Sequence, residues 1–178
     1  MKRQVALLRG INVGKNKRIS MADLRALLTG LGYQDVATLL QSGNAVYSSK
    51  DAPELAARKI EKAIAASAGF ESSVVVRNGE ELAAVVRHNP FAKIADDASR
   101  YLVVFLSAEP SAAVMKELAG IDVAPDQYRL KGRELYLWCP DNVRESKAVK
   151  LFTDKRLKVV ATARNWNTVE KLKAMLEE

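Results

Sequence analysis

Cysteine and histidine each occur once in this chain of 178 residues, as Cys139 and His88. A lone cysteine excludes an internal disulfide, and one Cys with one His is too few for a zinc site of the usual kind, so no metal ligand set is predicted. Any Ser-His or Cys-His dyad would have to use His88. Long apolar runs are missing too: the opening MKRQVALLRG holds only Val5 to Leu8 before Arg9. That is too short for the core of a secretory signal, and no stretch approaches a membrane span, so a cytoplasmic protein with no membrane partner is expected. Acids are absent from residues 1–18, which carry Lys2, Arg3, Arg9, Lys15, Lys17 and Arg18.

What is present is the composition of an ordered globule, 48% hydrophobic and 28% charged, long enough for one ordinary domain or two small ones. The net charge is +7, and a second basic excess runs from Arg129 to Lys158. Such a balance attracts nucleic acid, nucleotides or other anions over long range, although many proteins are this basic for solubility alone. The loop GINVGKNK, Gly10 to Lys17, invites comparison with a phosphate-binding Walker loop and fails it. It has three residues between its glycines where that pattern needs four, and Asn16 stands where the magnesium-binding hydroxyl belongs. The next helix start, at Ser20, comes too late to face the phosphates.

Periodicity predicts a strand at Val5–Leu8 and a helix capped by Ser20 with Met21, Leu24, Leu28 and Leu31 on one face. A strand from Val36 to Leu40, a turn at Gln41 to Asn44 and a strand over Ala45–Ser48 follow. Pro53 opens a helix reaching about Ala68, and Val74–Val76 closes the set. The order is βαββαβ. The second half repeats it: a strand at Tyr101–Leu106, a helix from Pro110, and a hairpin of Tyr128–Leu130 with Glu134–Trp138. A helix near Ser146–Phe152, a weak strand at Val159–Val160 and a last helix marked by Val169, Leu172 and Leu176 complete it. LLQSGNAVYSS and RLKGRELYLW are each strand, glycine turn, strand at the same stage, which implies architectural duplication. The predicted fold is α+β, two tandem ferredoxin-like split sandwiches with antiparallel sheets. Residues 1–78 form the first domain, 79–99 a helix and linker, and 100–178 the second domain with an extra C-terminal helix.

Several constellations are candidates for chemistry, each with a plain structural alternative. Arg9, Asn12, Gly14 and Lys15 leave the first strand in a loop whose amides could converge on an anion, or whose glycines merely permit a turn. In the second turn Gly43 and Asn44 suit left-handed backbone angles, while Gln41 and Ser42 are free for polar contact. Near the C-terminus Arg164, Asn165 and Trp166 offer a charge, an amide and a stacking plane, with Asn167 expected to cap the last helix and Glu170 to answer it. Alternation in Glu134–Cys139 puts Tyr136 and Trp138 on one face, either open for stacking bases or buried between the halves. Asp96-Asp97 could touch a hard cation, although an acidic pair in a link is more often solvated; Ser146 reads as a helix cap and Lys147 as an anion attractor.

The strings LRGINVG, SMADLRALL, LQSGNAVYSS, NPF at Asn89 to Phe91, SK at Ser146-Lys147 and ATARNWNTV together resemble the bacterial family known as domain of unknown function 1697, across essentially the whole chain. The resemblance implies the tandem ferredoxin-like arrangement and no established activity. Lys15 departs from the pattern, where a second glycine is usual. The leading expectation is a protein binding an anionic ligand, nucleic acid or a phosphorylated small molecule, through Arg9, Asn12, Lys15, Arg164 and Asn165. The rivals are an enzyme on a small anionic substrate, using His88 or a carboxylate for proton transfer, and a protein-interaction module. No cofactor, catalytic residue or oligomeric state is implied.

Overall fold

The first strand, β1 (Lys2–Leu8), is an interior strand because its run of small and branched side chains can be covered on both sides. The computed structural model describes residues 1–178. β1 pairs antiparallel with β3 (Asn44–Ser49) and with β4 (Val74–Asn78), and β2 (Gln34–Leu39) joins the outer side of β3. The strand order is β2-β3-β1-β4. Two helices pack on this sheet. α1 (Met21–Gly30) starts where Ser20 Oγ accepts from the Asp23 amide at 3.0 Å, and α2 (Pro53–Ala68) starts on a proline whose fixed φ suits the first turn. Leu24 and Leu28 of α1 meet Ile60 and Ile64 of α2 over Ala6, Leu8, Ala45 and Tyr47. Each of these Leu and Ile side chains contributes about 1.5–3 kcal/mol on full burial. The alternate residues Val5, Leu7, Val46 and Val75 are buried as well, so β1, β3 and β4 are covered on both faces, while β2 stays exposed to half-buried.

The second sheet repeats the order. β5 (Tyr101–Leu106) pairs antiparallel with β7 (Glu134–Trp138) and β8 (Ala161–Asn165), and β6 (Gln127–Lys131) lies outside β7, giving β6-β7-β5-β8. A helix α3 (Gly79–His88) precedes it, followed by a short 3-10 turn at Ala98–Arg100 that Asp97 caps by accepting from the Ser99 amide. The helices over the sheet are α4 (Ala112–Ala119), α5 (Lys147–Leu151) and α6 (Asp154–Leu157). The chain is thus α+β with two four-stranded antiparallel sheets. It divides into two compact units, Met1–Ala84 with Lys171–Glu178 and Val85–Glu170.

Three local expectations need correction. Pro110 does not open α4; Ser111 caps it, accepting from the Val114 amide. The final strand is not Val159–Val160 but Ala161–Asn165, because α6 intervenes, Lys158 turns the chain at a φ of 58°, and pairing with β5 begins at Leu106↔Ala161. The last helix, α7 (Trp166–Glu177), starts directly after that strand. Its cap is therefore Asn165, whose Oδ1 accepts from the Thr168 amide at 3.0 Å, rather than Asn167.

Candidate functional site

The loop from Arg9 to Ser20 is held by one side chain. Gly10, Asn12, Gly14 and Lys17 all adopt left-handed backbone angles, so the chain coils tightly instead of extending. Asn12 fastens the coil: its amide Nδ2 donates to the carbonyls of Ile19 (2.9 Å) and Gln41 (2.8 Å), and its Oδ1 accepts from the Ile19 amide (3.0 Å). Its backbone N–H closes on Lys17 O. Both side-chain donors are used inside the fold. Asn12 thus serves the site by bringing the first loop against the second turn, and it leaves no donor for a ligand.

That junction opens a cleft of about 780 Å³ in the first unit. Its polar lining comes from Arg18, Ser20, Asp23, Gln41 and Ser67, with Asn12 at the junction; Ile19 and Leu27 supply apolar wall. Arg18 is exposed and has neither a hydrogen-bond nor an ion-pair partner, and the side-chain amide of Gln41 is likewise unengaged. The N-terminus of α1 begins at this lining, since Ser20 caps it and Asp23 sits in its first turn. The cleft therefore offers one free guanidinium, a neutral amide, hydroxyls and the positive end of a helix, with one carboxylate beside them. Arg18, Ser20, Asp23 and Ser67 did not figure among the predicted contacts. The available signal was the basic run Lys15, Lys17, Arg18 ending at a helix cap.

The other predicted residues divide between the units. In the first, Arg9, Gly14, Lys15 and Ser42 are exposed, and Gly14 has a φ of 69°. Asn44 is fully buried; its amide donates to Leu39 O and Ser42 Oγ, and the left-handed residues of that turn are Leu40 and Gly43, so Asn44 is corrected from turn residue to strand residue. In the second, Lys147 is exposed and donates to Ala124 O at 3.2 Å. Arg164 is 8% exposed and spends its guanidinium on Thr162 Oγ1 and Ala163 O, and burial pulls its pKa down to about 10. Trp166 is buried and stacks on Tyr101 with centroids 4.7 Å apart.

Tyr136 and Trp138, at 1% and 5% exposure, offer no platform to a base. The aliphatic alternation does face the helices, as Leu135, Leu137 and Cys139 join the core of the second unit. On the opposite side Tyr136 donates to Val85 O at 2.9 Å and lies against Tyr101 and the His88 ring, while Tyr101 donates to Asn89 Oδ1. Burial, with Lys131 nearby, lowers the pKa of His88. The Cys139 thiol is buried, which raises its pKa, and donates to Ser146 Oγ; Ser146 Oγ in turn donates to Asp126 Oδ2 at 2.7 Å. A protonated thiol tied into a core network is a poor nucleophile.

The strands also share a feature that periodicity did not reveal. β4 and β8 both end in Arg-Asn, and in each the guanidinium returns to the preceding carbonyl, Arg77 to Val76 O and Arg164 to Ala163 O. In each the asparagine Oδ1 then caps the next helix, Asn78 accepting from Glu81 and Asn165 from Thr168.

The family described as "Protein of unknown function (DUF1697)" matches residues 1–136. Among solved structures the chain is similar to the conserved bacterial protein SP0830 from Streptococcus pneumoniae, at 25% identity and a TM-score of 0.79 over 98% of each chain. No curated protein matches at a significant level.

Proposed function

The chain belongs to the DUF1697 family, and from its own side chains we propose that the first unit binds a small phosphorylated ligand in the cleft between the glycine loop and α1. The observation that carries this reading is the unpartnered Arg18 on a concave lining that also holds Gln41, Ser20 and the start of α1. A guanidinium beside a helix N-terminus suits a phosphate, because one supplies paired donors and the other the positive end of a dipole. Asp23 on the same wall argues for a ligand that also carries a hydroxyl or amine donor. The size of the cleft, 780 Å³, falls inside the range of about 300–1,000 Å³ typical of small-molecule pockets, which favours a metabolite over a polymer. Burial of Tyr136 and Trp138 removes the stacking platform that nucleic-acid bases would have used. Lys15 and Lys17, exposed on the same loop, would raise the local concentration of anions.

The scaffold reading is two ferredoxin-like units, supported by the βαββαβ order and by sheet orders that place the first and third strands side by side at the centre. Proton-transfer chemistry has less support, since His88 lies in the other unit against Tyr136. The single buried cysteine suits a reducing compartment.

The experiment is a thermal-shift screen of the whole chain against inorganic phosphate, nucleotides and sugar phosphates, followed by calorimetry on any hit. A ligand of the folded state raises the melting temperature. Arg18→Ala should weaken binding about tenfold or more, equal to about 1.4 kcal/mol, and Gln41→Ala by a smaller factor. Equal affinity in Arg18→Ala, or no shift with any phosphorylated compound, overturns the reading.

A further inference from the structure

The second unit carries a different kind of surface, along its outer strand β6. Four strands lie at sheet edges, and three are less suited to further pairing. β4 and β8 are largely buried, and β2 is broken by a register shift between Gln34 and Ala37, with Asp35 at a φ of 51°. β6 is regular over its whole length and alternates between exposed and half-buried residues.

The turn Gly132-Arg133 sets its register. Lys131 stands opposite Glu134, Arg129 opposite Tyr136 and Gln127 opposite Trp138. In an antiparallel pair closed by such a short turn, these are the residues that exchange hydrogen bonds with β7. The N–H groups of Tyr128 and Leu130 and the Leu130 carbonyl therefore point away from the sheet, spaced to accept another strand, while Tyr128 O already accepts from the Arg129 guanidinium. Beside them runs a groove of about 450 Å³ lined by Val123, Asp126, Gln127, Tyr128, Arg129 and Leu130.

Charge decides what this edge accepts. Gln127, Arg129 and Lys131 are its exposed side chains. Arg129 lies over the Phe91 ring at 5.8 Å and donates to Tyr128 O, so its guanidinium is held at the edge itself. Glu134 across the hairpin offsets part of Lys131, leaving Arg129 as the main cation. A second copy pairing antiparallel about Arg129 would oppose arginine to arginine, and like charges face to face are unfavourable. We infer that β6 is a docking edge for an extended acidic peptide, which adds as a further strand on the Tyr128 and Leu130 amides and sets carboxylates against Arg129 and Lys131. Recognition by main-chain pairing with side-chain selection at alternate positions is the general logic of strand addition.

The test uses the full chain and a short capped peptide alternating Val and Glu, with three comparison probes: its Val-Lys counterpart, a Val-Glu peptide N-methylated on alternate amides, and a single-stranded oligonucleotide. Binding is read by fluorescence anisotropy, and amide exchange by NMR. The Val-Glu peptide should bind and protect the Tyr128 and Leu130 amides. The Val-Lys and N-methylated peptides should bind about tenfold more weakly or not at all, and Arg129→Gln with Lys131→Gln should cost the Val-Glu peptide a similar factor. Equal binding of the N-methylated peptide, or binding without protection at Tyr128 and Leu130, overturns strand addition. Absence of Val-Glu binding, or preference for the oligonucleotide lost in the same variant, overturns the acidic-peptide partner. Arg18→Ala should leave this binding unchanged, which separates it from the cleft of the first unit.

Discussion

Gly43 shows how much one position can demand. It adopts a φ of 91°, and a Cβ there would stand 2.7 Å from Ile11 Cδ1 and 2.9 Å from Leu8 Cβ. Both the backbone angle and the lack of space exclude a side chain, so Gly43→Ala should destabilise the protein by about 2–4 kcal/mol. Gly14 shares the left-handed angle at 69°, but a Cβ added there would meet nothing within 4 Å, so Gly14→Ala should cost only about 1–2 kcal/mol. Urea midpoints at constant slope measure the difference. Glycine in a turn was readable from the chain; that the second turn also closes onto Ile11 was not, because that contact joins residues far apart in sequence.

Helix ends show a subtler limit. Asn167 with Glu170 three positions on satisfies the local pattern of a cap, yet α7 begins at Trp166 because β8 stays paired as far as Leu102↔Asn165. Asn165→Ala should therefore cost about 1 kcal/mol, while exposed Asn167→Ala should change stability by less than about 0.5 kcal/mol. Thermal or urea unfolding of the two variants checks this. Ser20 and Ser146 were identified correctly as caps, since there the preceding chain is loop and no strand pairing competes. The same competition explains β8, whose start is set by its neighbour and not by the apolar pair Val159-Val160.

For the molecule as a whole, acid is the informative stress. Asp51 accepts from Lys59 Nζ at 2.8 Å and from Tyr33 OH at 2.9 Å, and Tyr33 stacks on Tyr47. Those bonds, Lys59 first, hold its carboxyl below the ordinary carboxylate range. A depressed folded pKa contributes stability that is present above the unfolded value of about 3.9 and is lost as pH falls through the folded one. Unfolding free energy should thus decline more steeply below about pH 4 in the parent chain than in Asp51→Asn, as measured by urea titrations across a pH series. The alternation of strands, the amphipathic helix faces and the repeated βαββαβ order were legible along the chain, because steric preference, capping and periodicity act within a few residues. Burial of Tyr136, Trp138 and Arg164, the role of Asn12 as a clasp, and the meeting of Arg18, Gln41 and Ser67 at one cleft came only from the folded chain. They depend on which surfaces are pressed together and which donors are used up, and those are properties of distances through space.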